Sequence, residues 1–79
     1  MKVRVKLIAT YLKLLPDGTQ GHTIEIEVSP GATVEHVMTQ FDVPMDGSSV
    51  IVLNGFTVAL DTPLSDGDII SAFSAIAGG

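Results

Sequence analysis

The run Ser29-Pro30-Gly31-Ala32-Thr33-Val34-Glu35-His36-Val37-Met38-Thr39-Gln40-Phe41 changes period in its middle. Pro30 and Gly31 interrupt what precedes them. Thr33 is a suitable helix N-cap, because its hydroxyl can accept from a backbone N–H left free in the first turn. Val34, Val37, Met38 and Phe41 then recur at i, i+3, i+4 and i+7, the apolar stripe of an amphipathic helix. Glu35 stands in the first turn, where the helix dipole favours a negative charge. Pro44 blocks any continuation. The spacing predicts one short helix of about ten residues, with Met38 and Phe41 in the core and His36 facing solvent.

The chain on either side of this helix reads as strands. From Lys2 to Ala9, Val3, Val5, Leu7 and Ala9 point one way and Lys2, Arg4, Lys6 and Ile8 the other. Period two predicts a half-buried strand. Thr23 to Ser29 repeats the pattern, with Ile24, Ile26 and Val28 apolar and Thr23, Glu25 and Glu27 opposite. One outer face is basic and the other acidic. An antiparallel pair with charges meeting across it follows. Such exposed pairs contribute only about 0.2–1 kcal/mol each; their use is register, since a slip by one residue turns the apolar set outward. The joining loop, Thr10 to His22, carries the turn signal Pro16-Asp17-Gly18. Its first half holds Tyr11, Leu12, Leu14 and Leu15, which fold back on the core or add a short helical turn.

After the helix, Val50-Ile51-Val52-Leu53 is a continuous apolar run, as in a covered strand. Asn54-Gly55 is a strong hairpin signal, and Phe56-Thr57-Val58 supplies a short return strand. Asp61 to Asp68 is a polar connection with turns at Pro63 and Asp66-Gly67-Asp68. Ile69 to Ser74 is the last strand. One helix among these strands gives an α+β domain.

Composition narrows the function. Seventy-nine residues allow one small domain, which buries about 60% of its unfolded surface. There is no cysteine, so disulfides, iron–sulfur clusters, thiolate metal sites and a catalytic thiol are out. A small secreted domain would usually carry disulfides, so a cytoplasmic location is expected. The N-terminus alternates charged and apolar residues and does not read as a signal peptide. No apolar run approaches the roughly 20 residues of a membrane span.

The net charge is −5, and all four basic residues (Lys2, Arg4, Lys6, Lys13) precede every Asp and Glu. One basic strand is too little to displace counterions from a nucleic acid. An acidic surface suits a basic docking site on another protein. His22 and His36 lack ligand spacing, so no metal is expected. Asp66 and Asp68 flank Gly67 as turn residues; no nucleophile accompanies them to make a catalytic pair.

That leaves the end, Phe73-Ser74-Ala75-Ile76-Ala77-Gly78-Gly79. The Gly79 carboxylate is the expected reactive group. Gly78 and Ala77 are slender enough for a narrow active-site channel, and glycine is free in φ and ψ. Residues 1–74 are expected to form the domain and residues 75–79 a flexible tail. Phe73 and Ile76 are candidates for an apolar contact with a partner, although an aromatic beside a last strand is as often core.

Four segments in order, Ser29-Pro30-Gly31-Ala32-Thr33-Val34, Val52-Leu53-Asn54-Gly55, Leu64-Ser65-Asp66-Gly67-Asp68-Ile69-Ile70 and Ala75-Ile76-Ala77-Gly78-Gly79, carry a resemblance. The chain resembles the ubiquitin-like sulfur carriers of thiamin and molybdopterin biosynthesis, the ThiS/MoaD type. The resemblance implies a β-grasp fold: a mixed four- to five-stranded sheet, first and last strands parallel and central, with one helix packed on one face.

It also implies a carrier rather than an enzyme. An activating enzyme of the ThiF/MoeB type, using ATP and Mg, adenylates Gly79. A sulfur donor protein or sulfide then displaces AMP, leaving a thiocarboxylate for an acceptor synthase. No cofactor is expected on the chain itself; the sequence does not fix its oligomeric state, and a monomer that pairs transiently with its enzymes is the default expectation. Ser74-Ala75 stand where the family's tails often carry proline, and the Thr10–His22 loop is long for a thiamin carrier; the subfamily stays open. The acceptor could be thiazole, a molybdopterin or tungstopterin, a cysteine precursor or tRNA. Two other readings stay open: a protein modifier joined through Gly79 to a lysine, which the same tail would serve, and a plain β-grasp binding module in which the tail plays no part.

Overall fold

The computed structural model describes residues 1–76. Five strands and a helix follow in the order β1 (Lys2–Leu7), β2 (Thr23–Glu27), α1 (Val34–Gln40), β3 (Ser49–Leu53), β4 (Phe56–Thr57) and β5 (Ile69–Ser74). A six-residue 3-10 helix, Ala9–Leu14, lies between β1 and β2. The strands form one mixed sheet in the order β2-β1-β5-β3-β4. β1 and β5 are parallel neighbours, and the other pairings are antiparallel. This is the ubiquitin-like β-grasp arrangement, with α1 on one face.

The β1–β2 register follows the charge pattern. Lys2 stands opposite Glu27 and Arg4 opposite Glu25. Lys2 Nζ and Arg4 Nε both approach the Glu25 carboxylate, at 3.9 and 4.0 Å. The same register turns Val3, Val5 and Leu7 inward, where they are fully buried against Val34, Val37 and Met38 of α1 and Ile70 and Ala72 of β5. Phe41 and Leu64 close the core, and among the described residues no charged side chain is buried in it.

Several boundaries differ from the sequence reading. β1 ends at Leu7 rather than Ala9, because Ala9 takes φ +56° and opens the 3-10 helix. That helix does both things proposed for the loop: it forms short turns, and it buries Tyr11, with Leu15 just after it, in the core. The return strand β4 covers only Phe56 and Thr57, and Phe56 is 73% exposed.

Helix α1 has seven residues and stops well before Pro44. Asp42 adopts φ +59°. The Val43 N–H donates to the Met38 carbonyl at 3.0 Å and the Asp42 N–H to Thr39 at 3.1 Å. This is a Schellman stop, with Val43 buried behind it.

The free N–H groups at the other end of the helix are all taken. Val34 donates to the Thr62 carbonyl at 3.1 Å and Glu35 to Leu60 at 2.9 Å. Thr33 Oγ1 accepts from the His36 N–H at 3.3 Å, and His36 Nδ1 accepts from the Thr33 N–H at 3.1 Å. His36 is thus exposed, as expected, and also completes a capping box. Among the described residues no helix is long and apolar enough to cross a membrane.

Candidate functional site

β5 runs through the middle of the sheet, and the tail is its direct continuation. Alternate residues give the strand two faces. Ile70 and Ala72 are fully buried beneath α1. Ile69, Ser71 and Phe73 lie on the other face, which no helix covers among the described residues. Phe73 pairs directly with Val50 of β3, and Ser71 with Val52. On the other side Arg4 stands beside Ile69 and Lys6 beside Ser71. The result is an apolar strip of Ile69, Phe73, Val50 and Val52 with cations along one border.

Phe73 is 37% and Ile76 61% exposed. The sequence left core and surface open for Phe73; the structure places it on the open face. Ile76 sits where the described chain ends. Ala77, Gly78 and Gly79, the other residues singled out for function, lie outside the described residues.

The start of β5 is held by side chains. Asn54 Oδ1 accepts from the Ile69 N–H at 2.9 Å, and the Asn54 N–H donates to the Ile69 carbonyl at 2.8 Å. Asn54 Nδ2 donates to Asp68 Oδ1 at 3.0 Å, and Asp68 Oδ2 accepts from the Ser65 N–H at 2.7 Å. Asp66 Oδ1 accepts from the Lys2 N–H at 2.7 Å. Asp66 and Asp68 therefore spend their carboxylates on backbone N–H groups and Asn54, as turn residues do.

The far end of β5 is held too. The Ala75 N–H donates to the Ser48 carbonyl at 2.8 Å, one step beyond the Ser49–Ser74 pair. The Ser74 hydroxyl accepts from the Ile76 N–H and donates to the Ile76 carbonyl, both at 3.2 Å. Ser48 is fixed by Asp46, whose Oδ1 accepts from the Ser48 hydroxyl at 2.6 Å and its N–H at 3.1 Å. The Ser48 hydroxyl, with its N–H second, holds the Asp46 carboxyl below the usual carboxylate range. Nothing in the sequence pattern flags Ser48 or Ser74: each is one serine among several, and only the strand register brings them together.

Among the described residues no group of three or more His, Asp or Glu side chains is placed to hold a metal ion. His22 Nδ1 is 2.9 Å from Thr23 Oγ1, and His36 is engaged in the helix cap. The surface hollows are shallow. One, of about 430 Å³, lies between the end of β2 and α1, lined by Glu27, Pro30, Ala32, His36 and Gln40 among others. It is on the opposite side of the sheet from the apolar strip.

No curated protein matches the chain. Among solved structures it is similar to SAMP1 from Haloferax volcanii, with a TM-score of 0.79 and 20% identity over 100% of both chains. It is similar to a putative molybdopterin converting factor subunit 1 from Pyrococcus furiosus, with a TM-score of 0.75 and 27% identity over 95% of this chain and 98% of that one. A third likeness is to a chain of the complex of subunits 1 and 2 of molybdopterin-converting factor from Helicobacter pylori, with a TM-score of 0.64 and 22% identity over 100% of both chains. The ThiS family model matches residues 5–79, which takes in the strip, the held ends of β5 and both closing glycines, and the chain belongs to the ThiS family.

Proposed function

We infer that this protein is a sulfur carrier and that Gly79 carries the sulfur. An ATP-dependent activating enzyme of the ThiF/MoeB type joins the Gly79 carboxylate to the α-phosphorus of ATP, with Mg, and pyrophosphate leaves. Sulfide attacks the acyl carbon, and AMP leaves; where a donor protein's persulfide attacks instead, the acyl disulfide formed is cleaved by a thiol, which leaves as the mixed disulfide and frees the thiocarboxylate. The thiocarboxylate is a stronger nucleophile than a carboxylate and passes its sulfur to an acceptor synthase making a thiamin- or molybdopterin-type cofactor. The chain is substrate and carrier here, and the catalysis belongs to its partners.

The observation that carries this reading is the family match running through Gly79 on a fold whose central strand leads straight into the tail. Ala75 and Ile76 already lie exposed at the edge of the body. Ala77 and Gly78 then supply slender backbone for the channel. Phe73 and Ile76 give the partner an apolar hold beside the tail, and the strip across Val50 extends it. A subunit 1 seen in complex with subunit 2 in molybdopterin-converting factor fits such a partner surface.

The test is to mix the protein with its cognate activating enzyme, ATP, Mg and sulfide and to read the intact mass. The expected result is a gain equal to the difference between sulfur and oxygen, absent when Gly79 is deleted.

A second reading is a modifier joined to lysines through Gly79, favoured by the likeness in fold to small archaeal modifier protein 1 from Haloferax volcanii. An adduct that survives reductant and maps to a lysine–Gly79 isopeptide bond would select it.

A further inference from the structure

Ala75 and Ile76 are exposed, and no core packing holds them. Exposed residues at the end of a domain ordinarily fray. Here each has its N–H bound, Ala75 to the Ser48 carbonyl and Ile76 to the Ser74 hydroxyl. The hydroxyl also donates to the Ile76 carbonyl, using both its donor and its acceptor capacity on one residue. Ser48 is itself held by two hydrogen bonds to Asp46 across Gly47, whose φ of +95° favours glycine.

We propose that Ser48 and Ser74 form a clamp that sets the direction in which the chain leaves β5, and that Ser74 is a positioning residue for delivery of Gly79 to the activating enzyme. This rests on the carrier reading above. Ala77, Gly78 and Gly79 separate Ile76 from the Gly79 carboxyl, and three residues span at most about 11 Å. With the clamp closed, the partner orders three residues to capture the carboxylate. With it open, Ala75 and Ile76 join the part to be ordered, at an added entropy cost. The acyl chemistry is untouched, so the effect falls on capture of the tail, read as KM, and not on kcat.

Two readouts test the clamp. The first is amide hydrogen exchange by NMR on the whole protein, without any partner. Ile76 is expected to exchange about three- to tenfold faster in Ser74→Ala than in the native protein, as loss of one hydrogen bond implies. Ser74→Thr keeps the hydroxyl and should restore the native rate. Equal Ile76 rates in the native protein and Ser74→Ala would overturn the clamp. The second is ATP–pyrophosphate exchange by the cognate activating enzyme. Ser74→Ala should raise KM about three- to tenfold on the same reasoning, with kcat kept and Ser74→Thr recovering the native KM. A fall in kcat at unchanged KM would overturn the positioning role. Absence of exchange with the native protein would reject the carrier reading and the delivery role with it, while the amide rates still decide whether the clamp exists.

Discussion

Asn54 and Asp68 are joined side chain to side chain, Nδ2 to Oδ1 at 3.0 Å, and through this bond the β3–β4 turn holds the start of the strand that leads to the tail. Asn54 stands in the left-handed region, φ +51°, which asparagine tolerates better than most residues. Its Oδ1 completes the arrangement by accepting from the Ile69 N–H at 2.9 Å. Asn54→Ala loses both side-chain bonds and keeps the unfavourable φ. It should cost about 1–3 kcal/mol in urea unfolding. Asn54→Gly relieves the backbone but not the lost bonds and should fall between the two. An alanine variant as stable as the native protein would show that these bonds hold nothing.

Asp42 ends α1 in the conformation that favours glycine, with φ +59°. Its carboxylate also sits at the negative end of the helix dipole, and the last turn has no basic residue to offset it. Asp42→Gly removes both disadvantages and keeps the Schellman bonds, which are backbone only. The variant should be more stable than the native protein by about 1 kcal/mol, seen as a higher urea midpoint at unchanged slope. A lower midpoint would mean that the Asp42 side chain makes a contribution the backbone account omits.

Phe73 and Met38 separate the surface from the core. Met38 is fully buried, and Met38→Ala should cost about 2–5 kcal/mol. Phe73 is 37% exposed on the uncovered face, so Phe73→Ala should cost less than half as much in the same unfolding experiment. If Phe73 is a partner contact, the same variant should weaken capture by the activating enzyme about tenfold or more, the range of an aromatic interface anchor. A fully active Phe73→Ala would take that residue out of the partner surface.

Asp46 gives a pH dependence of known sign. Its carboxyl titrates below the usual range because the Ser48 hydroxyl, and then the Ser48 N–H, stabilise the charged form. The folded pKa is thus lower than the unfolded one. The stability linked to it is full above about pH 4 and is lost as pH falls through the folded pKa. A carboxyl-carbon NMR titration should show the Asp46 midpoint below that of an unstructured aspartate. Ser48→Ala should move it back up, though not the whole way, since the N–H bond remains. An unmoved midpoint in Ser48→Ala would contradict the assigned cause.

Much of the fold was legible because single residues fixed it locally. Strict alternation in β1 and β2 set their faces, and Thr33 with Val34, Val37 and Met38 set the start and face of α1. The parallel pairing of β1 with β5 was not in the periodicity; it came from the resemblance alone. The helix stop was misplaced because the left-handed residue is Asp42, where glycine or asparagine would have announced it. The capping role of His36 escaped because Glu or Gln usually stands at that position.

At the candidate site, Phe73 could not be assigned to a face until register paired it with Val50. Ser48 and Ser74 are far apart in sequence, and only the β3–β5 ladder, which pairs Ser49 with Ser74, sets the Ser48 carbonyl beside Ala75. Long-range pairings of this kind leave no local signal.

The central claim is that Gly79 is the acyl end on which sulfur is loaded. Its most direct measurement is mass spectrometry of the C-terminal peptide after incubation with the cognate activating enzyme, ATP, Mg and labelled sulfide. The account predicts one labelled sulfur on the Gly79 carboxyl, formed only with ATP and missing when Gly79 is deleted from a protein that still folds. An unlabelled Gly79 in a reaction where the enzyme consumes ATP with this protein present, or label on any other residue, would contradict it.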